Sequence, residues 1–154
     1  MKDVFIRSKF NPIIKPNPKH EWESLKVYNP GAIFHNGRYH LFYRAVGIGK
    51  NWHSALGYTV SEDGEHFKRF SHPILDRDSS NPLEVRGLED PRITKINDTF
   101  FMTYAAFNGK VPKLHIATSS DLKHWKKGDA LFKDFEFTKD NWSKSGAIFS
   151  EKIK

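Results

Sequence analysis

The chain has 154 residues and no cysteine, which excludes disulfide staples and thiolate metal sites. Long apolar runs are missing too. Nothing approaches the ~20 residues of a membrane-spanning helix, so no membrane partner is expected. Val4-Phe5-Ile6 is too short for the apolar core of a signal peptide, which makes a cytoplasmic location the default expectation. Basic blocks are also lacking. The net charge of +7 would suit nucleic acid, yet no run reaches the five or more like charges of a basic arm. Lys123, Lys126 and Lys127, beside His124 and Trp125, form the densest group and read as a solvated turn, so no nucleic-acid partner is expected. Dispersed cations suit a small anion such as phosphate. The 8 histidines show no metal-ligand spacing, and no metal is assigned. Helical periodicity is nearly absent.

Aromatic side chains are plentiful: 13 Phe, 5 Tyr and 4 Trp can fill a β-type core or face sugars. After a proline-marked lead-in over residues 1–26, the chain repeats itself. Gly37-Arg38-Tyr39-His40-Leu41-Phe42-Tyr43-Arg44-Ala45 aligns with Asp98-Thr99-Phe100-Phe101-Met102-Thr103-Tyr104-Ala105-Ala106. Each follows an asparagine, Asn36 or Asn97, whose tolerance of left-handed backbone signals a hairpin. Further on, Leu56-Gly57-Tyr58-Thr59-Val60-Ser61-Glu62-Asp63 matches Leu114-His115-Ile116-Ala117-Thr118-Ser119-Ser120-Asp121, with His66 and His124 three residues later in both. The two Ser-x-Asp pairs are expected to close turns and to do no chemistry. A repeat of antiparallel strands at this spacing predicts an all-β fold of propeller blades. Blade 1 is placed over 27–76, blade 2 over 77–138, and the start of a third over 139–154. Such an open stack fits either the N-terminal part of a larger enzyme or a short chain that closes as a homo-oligomer.

The most informative segment is Gly87-Leu88-Glu89-Asp90-Pro91-Arg92-Ile93-Thr94. Two carboxylates stand beside a φ-locked proline and a permanent cation. Proline disfavours helical backbone in the residue before it, so Asp90 is expected to be extended at a strand entrance. An acid aimed from such a place suits proton donation to a sugar or phosphate ester. The same residues would also serve as a structural turn in which arginine pairs with glutamate.

Taken together, Asn11-Pro12-Ile13-Ile14, Val27-Tyr28-Asn29-Pro30-Gly31-Ala32-Ile33, Tyr39-His40-Leu41-Phe42-Tyr43-Arg44-Ala45, Ser61-Glu62-Asp63-Gly64 and Glu89-Asp90-Pro91-Arg92-Ile93-Thr94 resemble glycoside hydrolase family 130, the β-mannoside phosphorylases, over residues 11–154. The resemblance implies a five-bladed β-propeller of which this chain holds about two and a half blades. It implies phosphorolysis of β-mannosides with inversion, giving α-mannose 1-phosphate, with inorganic phosphate as co-substrate and no cofactor. Asp90 is the implied proton donor. Arg44 is the implied cation near sugar and phosphate, and Asn29 and Ser54 are implied substrate contacts. Glu89, Arg92 and Lys144 complete the candidate set. Arg44 could equally pair with a neighbouring blade's acid; its repeat partner is Ala105, so the blade scaffold does not demand a cation there. In the third segment Lys144 and Glu151-Lys152-Ile153 match the family pattern, whereas Ser145 and Ser150 depart from it. An inverting β-mannosidase using water and a non-catalytic carbohydrate-binding fragment are the alternatives. The isolated chain, lacking later blades, is expected to be inactive.

Overall fold

The computed structural model describes residues 6–49, 52–135 and 141–153. The expected boundary between blades 2 and 3, at 138/139, lies outside them. Among the described residues, eight strands form two four-stranded antiparallel sheets, each in simple sequential order. The first holds β1 (Lys26–His35), β2 (Arg38–Val46), β3 (Ser54–Ser61) and β4 (Lys68–Arg69); the second holds β5 (Leu88–Ile96), β6 (Thr99–Phe107), β7 (Pro112–Ser119) and β8 (Lys126–Ala130). The predicted hairpins stand where the asparagines put them. Asn36 and Asn97 have φ of 49° and 52°, in the left-handed region that asparagine tolerates. The third-blade segment, residues 141–153, contains no strand. It crosses the second sheet instead, its Gly146 and Ile148 carbonyls accepting from the Thr103 and Thr94 hydroxyls at 2.6 and 2.8 Å.

Alternation along the strands puts one face of each sheet against the other. Phe42, Leu56 and Tyr58 from the first meet Leu88, Phe100 and Met102 from the second in one buried cluster, and the Phe42 ring sits edge-on to Trp125 at 5.6 Å. Full burial of such side chains stabilises by about 1.5–3 kcal/mol each. The innermost strands approach closely where Gly31 of β1 faces the Pro91 carbonyl; a Cβ on Gly31 would collide with it. The Ser-x-Asp pairs close turns as expected. Ser61 Oγ accepts from the amides of Asp63 and Gly64, and Asp63 Oδ1 from those of Glu65 and His66; Ser119 and Asp121 repeat the pattern. Hydrogen bonds from the backbone and ring of His66 hold the Asp63 carboxyl well below the usual carboxylate range.

A repeated device escaped the sequence reading. Each sheet is preceded by a short 3-10 turn, Glu21–Glu23 or Pro82–Glu84, whose last residue is a buried glutamate. Glu23 accepts from Tyr43 of β2 at 2.8 Å, from Arg69 of β4 at 2.9 Å and pairs with His20 at 2.6 Å. At the equivalent place Glu84 pairs with Lys127 of β8 at 2.5 Å and accepts from the Asp78 amide at 2.6 Å. A buried carboxylate whose cation is removed, or the reverse, is costly because the remaining charge has no solvent. Glu23→Ala is therefore expected to lower unfolding stability by about 3 kcal/mol, whereas Glu62→Ala, which breaks the exposed Arg38–Glu62 pair, should change it by under about 0.5 kcal/mol. Urea unfolding of both variants checks this; equal losses would refute it.

Candidate active site

The Glu-Asp-Pro-Arg segment begins at the second residue of β5, at the entrance end of the strand as expected, but Asp90 is not extended: its φ is 56°. The expectation from the following proline is corrected by a β-bulge. Pairing of β5 with β6 shifts register between Glu89 and Arg92, and the bulged residue takes left-handed backbone. Proline suits this place because a bulge leaves one residue out of the ladder, so its missing N–H is not needed. The first sheet has the same feature. Pairing of β1 with β2 shifts between Tyr28 and Gly31, and Asn29, before Pro30, has φ 48°. Tyr28-Asn29-Pro30 and Glu89-Asp90-Pro91 are thus one bulge built twice. Comparing these two triplets in the sequence was the available signal.

The twin bulges point their left-handed residues at each other. Asn29 Nδ2 donates to Asp90 Oδ1 at 2.8 Å. Tyr28 pairs across the ladder with Arg44, and Glu89 with Ala105, so the arginine reaches from the first sheet to the acids of the second. Arg44 Nη2 is 2.6 Å from Glu89 Oε1 and Nη1 is 3.8 Å from Asp90 Oδ1. Its Nε donates to Ser54 Oγ at 2.9 Å. The guanidinium lies over the Tyr28 ring, 4.9 Å from the centroid. Burial raises the Tyr28 phenol above its ordinary value, so this platform stays neutral. Sequence inspection missed Tyr28, since an aromatic in a strand reads as core.

Lys144, from the segment that crosses the second sheet, completes the cluster. Its Nζ stands 3.8 Å from Glu89 Oε2 and 3.7 Å from Asp90 Oδ2. Five candidates therefore converge with Asp90: Asn29, Arg44, Ser54, Glu89 and Lys144. Arg92 does not join them. Its Nη1 donates to the Pro91 carbonyl at 2.8 Å, and it makes no ion pair with Glu89 or Asp90. The pairing of Arg44 with a neighbouring blade's acid and its place beside Asp90 are both realised, because that acid is Glu89.

Burial raises the Glu89 carboxyl above its ordinary value of 4.5, against the lowering pull of Arg44 and then Lys144, with Asp90 adding to the rise. Two acids and two cations balance in charge. Arg44 spends its Nε and Nη2 donors on Ser54 and Glu89. Nη1 and the lysine Nζ remain beyond hydrogen-bonding distance of any carboxylate here. The arrangement can therefore offer a proton from one acid and two free cationic donors to an incoming anion.

Comparison with known proteins adds the class. A solved structure superposes with a TM-score of 0.76 at 36% identity, over 84% of this chain and 42% of that one; its description states that the GH130 family of mannoside phosphorylases contains glycoside hydrolases that target beta-1,2 mannosidic linkages in Candida mannan. The fold is that of a carbohydrate-active enzyme family. The chain belongs to glycoside hydrolase family 130, whose profile, described as beta-1,4-mannooligosaccharide phosphorylase, matches residues 3–154. It is 36% identical over 150 residues to a 1,2-beta-oligomannan phosphorylase and 37% identical over 156 residues to a beta-1,2-mannobiose phosphorylase, both of Thermoanaerobacter sp. (strain X514). These alignments cover 92% of this chain but 48% and 49% of the relatives, so the chain spans about half their length.

The electrostatics set a pH signature. A carboxyl raised on folding contributes stability in its protonated form. That contribution is present below its unfolded value and lost as pH climbs through the folded one. Arg44→Met removes the larger lowering charge, so Glu89 should titrate higher still. The variant should lose about 3 kcal/mol at pH 7 and much less at pH 4. Carboxyl-carbon NMR titration and urea unfolding at the two pH values read this, and an equal loss at both would contradict it.

Proposed function

We propose that this chain carries the proton-donating half of a β-mannoside phosphorylase site, with Asp90 as the general acid and inorganic phosphate as the nucleophile. The observation that carries the reading is the division of labour around Asp90. Asn29 occupies Oδ1, which leaves Oδ2 to hold the proton and pass it to the departing glycosidic oxygen. Phosphate attacks the anomeric carbon from the opposite side, the C–O bond breaks, and configuration inverts to α-mannose 1-phosphate. Phosphate is already a competent nucleophile and needs holding rather than activation by a base. Arg44 Nη1 and Lys144 Nζ are the free donors for it, and Tyr28 and Ser54 fix the plane of the guanidinium. Asn29 in this scheme is first a positioning residue for the acid.

Hydrolysis is the second reading, since the solved relative's description includes hydrolases. An inverting hydrolase needs another carboxylate ~6.5–9.5 Å from the acid to activate water. The nearest candidate on this chain is Glu89, the neighbouring residue, and Arg44 already holds it at 2.6 Å. That engagement favours phosphate.

The chain alone is expected not to turn over, so the test joins residues 1–154 to the part of the 1,2-beta-oligomannan phosphorylase that lies beyond the aligned region. Mannose 1-phosphate should appear from a β-mannoside only when phosphate is added, and Asp90→Asn should cut the rate about 10³-fold. Phosphate-independent mannose release, or an active Asp90→Asn chimera, would overturn the assignment. If the chimera fails to fold, phosphorus NMR of the chain itself decides: phosphate should bind the wild type and bind less tightly to Lys144→Met.

A further inference from the structure

The left-handed step of the twin bulges recurs once more, outside any strand. Ser145 has φ 60°. It follows Lys144 as Asn29 follows Tyr28 and as Asp90 follows Glu89. The segment that carries it also packs as β5 does. Shortly before Glu89, the Arg86 carbonyl accepts from the amide of Ser54, the first residue of β3, at 3.0 Å. Shortly before Ser145, the Ser143 amide donates to the carbonyl of Pro112, the first residue of β7, at 3.2 Å. Each approach then sends one charged side chain back into the preceding unit. Glu89 meets Arg44 in the first case, and Lys144 approaches Glu89 and Asp90 in the second. Ser145 therefore takes, one unit further along the stack, the place that Asn29 and Asp90 take in the two sheets. It is also where the chain leaves the family's sequence pattern.

Serine is a costly choice for this backbone. Asparagine and aspartate tolerate left-handed φ better than most side chains, and glycine accepts it freely. Strain of this kind persists where function retains it. The segment's own packing does not use the side chain. Ser143 Oγ accepts from the Leu114 amide at 3.1 Å and the Gly146 carbonyl from Thr103 at 2.6 Å, whereas the exposed Ser145 hydroxyl has no hydrogen-bond partner among the described residues. We infer that this hydroxyl is a phosphate-binding donor, acting beside Lys144 to orient the anion next to Asp90. An ammonium attracts phosphate as a point charge and fixes little direction. One directed O–H to an anionic oxygen supplies a short, charge-assisted bond. Being neutral, it does so without disturbing the balance of two acids and two cations. The inference rests on the proposed function and adds a phosphate contact from outside both sheets.

The experiment compares the wild-type chain with Lys144→Met, Ser145→Ala and Ser145→Gly. Phosphorus NMR of inorganic phosphate reads affinity, and urea unfolding reads stability. Alanine removes the hydroxyl and keeps the strained backbone; glycine removes both. Each should weaken phosphate binding about tenfold, while the glycine variant unfolds at a higher urea concentration than the alanine variant. A serine that only shapes the backbone predicts another pattern, in which affinity follows stability and glycine binds better than alanine. That pattern would overturn the inference. So would wild-type affinity in both Ser145 variants while Lys144→Met binds weakly. Failure of the proposed function looks different: the wild type binds no phosphate, or Lys144→Met binds it as tightly, and the Ser145 contact then falls with it.

Discussion

One ion pair joins the chemistry to the architecture. Arg44 leaves the second strand of the first sheet and meets Glu89 on the first strand of the next. Both partners are largely removed from water, so each is costly to leave alone. The pair therefore locks the two sheets at the place where Asp90 must be held. Ser54 and Tyr28 finish the arginine's coordination from its own sheet, which makes the guanidinium a fixed object rather than a flexible arm. Arginine suits this better than lysine would, because its planar fork can meet three partners at once and still leave an edge open.

The bulge explains why the acid sits where it does. A regular strand would send Glu89 and Asp90 to opposite faces. Left-handed backbone at Asp90 breaks the alternation, and both carboxyl groups lie within reach of Lys144. The same break in the first sheet aims Asn29 across the gap. Gly31 permits the approach, since any side chain there would press against the Pro91 carbonyl. Two turns of backbone that look irregular in isolation become complementary once the sheets stack.

Much of this was legible from local chemistry. Asn36-Gly37 and Asn97 specify hairpins through backbone that few other residues tolerate, and the recurring Ser-x-Asp turns mark where strands end. Asn29, Arg44, Ser54, Glu89 and Lys144 lie around Asp90, whereas the Arg92 guanidinium folds back on the adjacent Pro91 carbonyl. What local rules missed has a common cause. The proline rule for Asp90 describes an isolated chain, and a tertiary contact between sheets overrides it. Glu23 and Glu84 look like ordinary surface charges, and only the fold shows that each is buried against a tyrosine strand and a cation from the outermost strand.

The two copies of the glutamate anchor differ beside their tyrosines. In the first sheet Gly57 opposes Tyr43 and leaves room for the ring to lean across it, so the hydroxyl reaches Glu23. In the second, His115 fills that space next to Tyr104, and the Tyr104 hydroxyl is buried with no partner. The blades are thus alike in outline but not exchangeable parts. A duplicate of one inserted at the other's position would bring the wrong filling to its neighbour, and so each unit is tailored to its own place in the stack.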